Sequence, residues 1–315
     1  MSDTSLATPK FIDDGIFARG ALGIWTTHGL RARIGLIIAA LVSCAIFIIG
    51  SRWLEVPPLL GFDGSLFRED SPVAALLSVA VLLFVTTVVG TVIAGRVRFE
   101  AGLFAAALGM MCISLRGGTM QAVLLEVNGA AGVYYTMFLE LLALGAILVG
   151  LWAMLVALGK ANFVIPAPEP AFVDTNAPEP LAPGGDLTGN LIALATQVVA
   201  TIILMMFLCQ SEAKDQVLAS TALASILGTY VAYMGFPTRP SIWFWTGPLI
   251  VGLIGYLIAG AGQNTDLAIG SSQGAFAALA RPLPLDYASV GPAAAMLGYW
   301  MSRKQVVPTA DDNTN

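Results

Sequence analysis

Long apolar runs separated by brief polar breaks make up most of this chain, and the length of the runs decides what they form. Four stretches, 71–95, 187–211, 216–238 and 240–265, contain no charged residue. Each exceeds the roughly 20 residues that carry an α-helix across a bilayer. The pattern predicts eight spans, at Ile34–Gly50, Val73–Ala94, Ala101–Leu115, Val133–Leu158, Leu191–Cys209, Val217–Phe236, Ile242–Ala261 and Tyr287–Met301. The expected fold class is therefore all-α, a polytopic integral membrane helical bundle of about eight transmembrane helices. The third and eighth runs are short. A helix of about 15 residues reaches about 22 Å, against a hydrocarbon core about 30 Å thick. Such a helix has to thin the bilayer, extend into its polar flanks, or fail to span.

One segment breaks the pattern altogether. Positions 161–189 carry the tetrapeptide APEP twice, at 167–170 and 177–180. Repeated Pro with interleaved Glu favours an extended linker over a helix. The expected organisation is an N-terminal cytoplasmic segment (1–33), a first four-helix half (34–160), the Pro-rich cytoplasmic linker (161–189), a second four-helix half (190–302) and a cytoplasmic tail (303–315). Four helices per half would make the halves parallel, related by an axis along the membrane normal. Two features favour such a repeat. Small residues recur at four-residue spacing on the second helix of each half, at Thr86, Gly90 and Ala94 and at Ser220, Ala224, Gly228 and Ala232. Each half also joins its third and fourth helices by a long Gly-rich loop, at 116–132 and 262–286. Each loop holds a short apolar stretch, Ala122–Leu125 or Ala275–Leu279, able to lie in the interface or re-enter the membrane.

Composition agrees with residence in lipid. Apolar residues make up 57% and charged residues 11%, with a mean hydropathy of +0.80; a soluble domain has about 45–50% and about 25%. Orientation follows from Lys and Arg, which are in excess on the cytoplasmic side. Lys10, Arg19, Arg31, Arg33, Arg96, Arg98, Lys160, Arg239, Arg303 and Lys304 fall on one side, and Arg52, Arg68, Arg116, Lys214 and Arg281 on the other. Both termini are thus expected in the cytoplasm, with the chain in the inner membrane if it is bacterial. The spans also place Trp53, Tyr134, Tyr135 and Tyr287 at outer ends and Tyr233, Trp243, Trp245, Tyr299 and Trp300 at inner ends, where aromatic rings anchor in the headgroups.

A net charge of −5 with no basic patch argues against nucleic acid as a partner. No nucleotide P-loop, zinc-protease or nucleophile-elbow motif occurs, and His28 is the single histidine. No cofactor or metal is expected, and Cys44, Cys112 and Cys209 read as small buried hydrophobes. Asp63, Glu69 and Asp70, interrupted by Arg68, read as a solvated face.

Three residues stand out as candidates for binding. Glu140 lies inside the fourth run, and an intramembrane carboxylate normally faces the bundle interior, paired or neutral. Arg116 ends the third run on the same side and is expected to reach it. Gln197 is near the middle of the fifth run, where an amide hydrogen-bonds to a neighbouring helix or lines a cavity. The expected role is a non-enzymatic structural or accessory subunit, or scaffold, of a membrane assembly. Its partners would be the lipid bilayer and other membrane subunits or further copies of itself. The alternative is a small-solute transporter or channel with a site between the halves; an intramembrane lipid-modifying enzyme ranks last.

Overall fold

A computed structural model describes residues 27–54, 65–69, 71–95, 100–126, 132–160, 187–238, 241–262 and 277–303. Every apolar run becomes helix, and no strand occurs among the described residues. In chain order the helices are α1 (Thr27–Gly50), α2 (Pro72–Ala94), α3 (Ala101–Ser114), α4 (Met120–Glu126), α5 (Gly132–Lys160), α6 (Leu187–Leu208), α7 (Lys214–Gly235), α8 (Ile242–Trp245), α9 (Gly247–Ala261), α10 (Ala277–Ala280) and α11 (Pro284–Arg303). Six segments are long and apolar enough to cross a membrane: Arg33–Gly50 of α1, α2, Gly132–Leu158 of α5, α6, α7, and α8 with α9 taken together. The Pro-rich linker lies outside the described residues up to position 186, and its last three residues already belong to α6.

The helices that form at the two short runs, α3 with 14 residues and α11 with 20, occupy the centre of the bundle. No residue of α3 is exposed, and in α11 only Leu297 and Met301 are exposed among Pro284–Ser302. In the spanning window of α1, by contrast, 22% is buried, and in those of α5 and α6, 28%. α11 runs past its apolar stretch at both ends and reaches about 30 Å at 1.5 Å per residue, whereas α3 stays at 14 residues. A helix wrapped by other helices meets side chains on all sides, so it does not need a uniformly apolar surface. The polar content of α11, with Asp286, Ser289 and Ser302 all buried, follows from the same position.

Small residues set the spacing between these elements. Gly90 of α2 faces Gly102 and Ala105 of α3, and a Cβ on Gly90 would lie 3.0–3.1 Å from their Cβ and Cα. On α7 the whole stripe Ser220, Ala224, Gly228 and Ala232 is buried, with Gly228 against Thr201 of α6. Backbones approach this closely only where side chains are absent or small, and close approach supplies the dispersion contacts that hold helices together in lipid.

The first three helices pack on one another, α11 packs on both α3 and α7, and α5 packs mainly on α9 and α11. Contacts therefore run across the division expected at the linker. The aromatic reading needs a correction as well. Tyr233, Trp245, Tyr299, Trp300, Tyr134 and Tyr287 are buried inside the bundle, whereas Tyr135 is exposed. Tyr233, Phe244 and Tyr299 form a mutual cluster with ring centroids 5.4–5.7 Å apart, and Phe104 packs on Trp300 at 5.0 Å. Six of the nine expected headgroup anchors are core residues instead.

Candidate functional site

The seventh run contains Pro248, and that residue explains a break in the helix. Proline lacks the N–H that would bond to the carbonyl four residues earlier, here Phe244. The break lies in the hydrogen-bond ladder alone: Thr246, between α8 and α9, keeps a helical backbone and the chain carries on in the same span. The freed Phe244 carbonyl accepts from Gln197 Nε2 at 2.5 Å, and the same nitrogen donates to Thr229 Oγ1 at 2.7 Å. Gln197 thus ties α6 to α7 and to the break. A Cβ on Gly247 would lie 2.5 Å from the Gln197 amide, so glycine there makes room for the side chain. On the same two helices, α6 and α7, Gln197 Oε1, Thr201 Oγ1 and Ser225 Oγ are buried with no hydrogen-bond partner among the described residues.

Glu140 is fully buried on α5. Its Oε2 accepts from Ser65 Oγ at 2.6 Å and from the Phe67 backbone N–H at 3.3 Å. Leu66, between these donors, is also fully buried. The carboxyl group therefore receives the segment Ser65–Phe67 that precedes α2 and seats it in the bundle. Glu140 Oε1 has no partner among the described residues. The expected pairing with Arg116 does not form: Arg116 is exposed and donates to Ser51 Oγ at 3.2 Å, while Arg68 pairs with Glu126 at 2.6 Å. The three sequence candidates are not brought to one place.

A second buried carboxylate organises the start of the central helix α11. Pro284 starts α11, and in its first turn Asp286, 1% exposed, accepts the Leu283 N–H at 2.8 Å on Oδ2. Its Oδ1 accepts from Lys214 Nζ at 2.6 Å and from Ser114 Oγ. One aspartate thus joins the end of α3, the start of α7 and the start of α11. Beside it Arg281 pairs with Glu212 at 2.8 Å and donates to the Cys209 carbonyl. The buried turn between α10 and α11 is closed by Tyr287 donating to Leu279 O at 2.8 Å and Tyr256 to Pro282 O at 2.5 Å. Sequence reading did not single out Lys214, Ser114 or Arg281 as a site, because each stands at the end of an element, where charge is ordinary. Three ends converging on one carboxylate is a tertiary fact. The one local signal was Asp286 itself, two residues after a proline at the head of an apolar run.

Between α5 and α9 runs a groove of about 290 Å³, lined by Leu141, Leu142, Gly145, Ala146, Val149, Thr246, Leu249, Ile250 and Leu253. Apart from Thr246 this lining is apolar. Among the described residues no group of three or more His, Cys, Asp or Glu side chains converges on a possible metal position. Comparison with protein-family models, curated proteins and solved structures finds no match to this chain.

Proposed function

We propose that this chain is a non-enzymatic structural or accessory subunit, or scaffold, of a membrane assembly. It would cross the membrane eight times, with both termini in the cytoplasm. On this reading α3 and α11 complete the count as central, protein-covered crossings, and the parallel four-helix halves describe chain order more than packing.

The observation that carries the reading is the use made of Asp286. An intramembrane charge is costly and is usually spent on binding, proton transfer or fastening. Here its two oxygens are taken up by Lys214, Ser114 and the Leu283 amide, groups from three element ends. Glu140 likewise holds the segment before α2, and Gln197 holds a broken helix. Interior polarity of this kind builds a rigid bundle, and the lipid-facing helices α1, α5 and α6 leave broad apolar surface for neighbours.

One observation favours the transporter or channel reading. Gln197 Oε1, Thr201 Oγ1 and Ser225 Oγ, on the packed pair α6 and α7, are unbonded among the described residues, and a few buried polar groups of this kind are what a small-solute site uses for orientation.

Purification from the native membrane in mild detergent separates the two. A second polypeptide at fixed stoichiometry supports the subunit; a retained small solute with no partner polypeptide overturns it in favour of transport.

A further inference from the structure

Two of the three cysteines, far apart in sequence, meet in the fold. Cys44 lies on α1 and Cys112 on α3, and both thiols point at the Leu108 carbonyl, with Sγ···O distances of 3.7 and 4.0 Å. The two side chains are also within hydrogen-bond reach of each other. Gly109 makes the meeting possible. A Cβ there would lie 2.6 Å from the Phe47 ring and 2.9 Å from the Ser43 carbonyl, so its absence lets α1 settle against α3 beside both thiols. Both cysteines are free and half-buried, whereas Cys209 is fully buried elsewhere.

We propose that Cys44 and Cys112 form a reversible dithiol site that closes to a disulfide and clamps α1 to the central helix α3. The site is placed where a clamp matters. The spanning window of α1 is the least buried of the six, and α3 is the central helix against which its buried face packs. A disulfide needs side chains converging at close range, with Cβ atoms about 3.5–4.5 Å apart; two thiols on one carbonyl acceptor and within hydrogen-bond reach of each other need only a small adjustment to close that gap. In the reaction each thiol loses one hydrogen and the two sulfurs bond to each other. The two electrons and two protons released go to an oxidant, and dioxygen suits a half-buried site in an apolar bundle because it dissolves in apolar surroundings, leaving as hydrogen peroxide. A thiol reductant reverses the step. The inference does not depend on the subunit reading.

The test uses the full chain in membrane vesicles. Copper–phenanthroline catalyses oxidation by dioxygen, the remaining thiols are alkylated under denaturing conditions, and intact mass and peptide mapping report the outcome. The expected result is one alkylated cysteine, Cys209, with a Cys44–Cys112 cross-link that dithiothreitol removes and with a higher melting temperature. Cys44→Ser should then give alkylated Cys112 and Cys209 and no thermal shift on oxidation. Three alkylated cysteines after treatment of the unmodified protein would overturn the proposal, as would a cross-link through Cys209 or between two copies of the chain. Because the unmodified protein alone decides, a variant that fails to fold does not blunt the test.

Discussion

At Gln197 a side chain replaces a hydrogen bond that the backbone has lost, and the consequence is measurable. Gln197→Leu preserves volume but strands the Phe244 carbonyl and should lower stability in detergent by about 1–2 kcal/mol. In a Pro248→Ala background residue 248 regains its N–H, so the same substitution should cost less; equal costs in the two backgrounds would remove the proposed link. For Asp286 the matched test is a cycle with Lys214. Asp286→Leu leaves a mostly buried ammonium without its carboxylate and should cost roughly 3–5 kcal/mol. Adding Lys214→Met should recover part of that loss, read as an upward shift in melting temperature. Glu140→Gln keeps an acceptor for Ser65 and Phe67, so stability should hold within about 1 kcal/mol, whereas Glu140→Ala should expose residues 65–67 to faster hydrogen exchange. Glu140 and Gln197 were legible as polar residues set in apolar runs. Their partners were not, because the donor to Glu140 includes a backbone amide and the acceptor from Gln197 is a backbone carbonyl, which exist as free groups only in this fold.

Among the elements, α3 and α11 show why hydropathy and burial diverge. Hydropathy measures fitness for lipid, so it ranks α1 and α2 high, and those two face outward. Of the central helices, α3 is as apolar as the outer ones and α11 is far more polar, yet both are enclosed. Their positions depend on close backbone contact: Gly298 of α11 sits where a Cβ would lie 2.5 Å from the Ile226 carbonyl of α7, and Gly102 of α3 is similarly pressed against Thr87 and Thr91 of α2. Gly102→Leu and Gly298→Leu should each destabilise the bundle by about 2 kcal/mol or more through overpacking, while Gly150→Leu, at an open position on α5, should change melting temperature little. The existence of these helices was readable from apolar run length. Their central place was not, because a short run looks the same whether it fails to span or is wrapped by its neighbours. The aromatic residues misled for a related reason: an inner-end Tyr or Trp satisfies both an interfacial anchor and a core cluster, and the neighbours Phe104, Phe244 and Glu100 decide which. Trp300 Nε1, for example, donates to Glu100 at 3.0 Å.

For the molecule as a whole, membrane residence was the plainest inference, since 57% apolar composition leaves no soluble alternative and six segments of the fold meet the length and hydropathy of a span. Division into halves was less legible, because the linker marks chain order while α5 packs forward onto α9 and α11. Interior polar groups that fasten the bundle suit a chain that works as part of a larger assembly. The most direct measurement is native mass spectrometry of the protein ejected from its own membrane without detergent exchange. The expected result is the 32.8 kDa chain in a complex of constant mass with other membrane subunits or with further copies of itself. A bare 32.8 kDa chain, alone or carrying only a small solute, would contradict it.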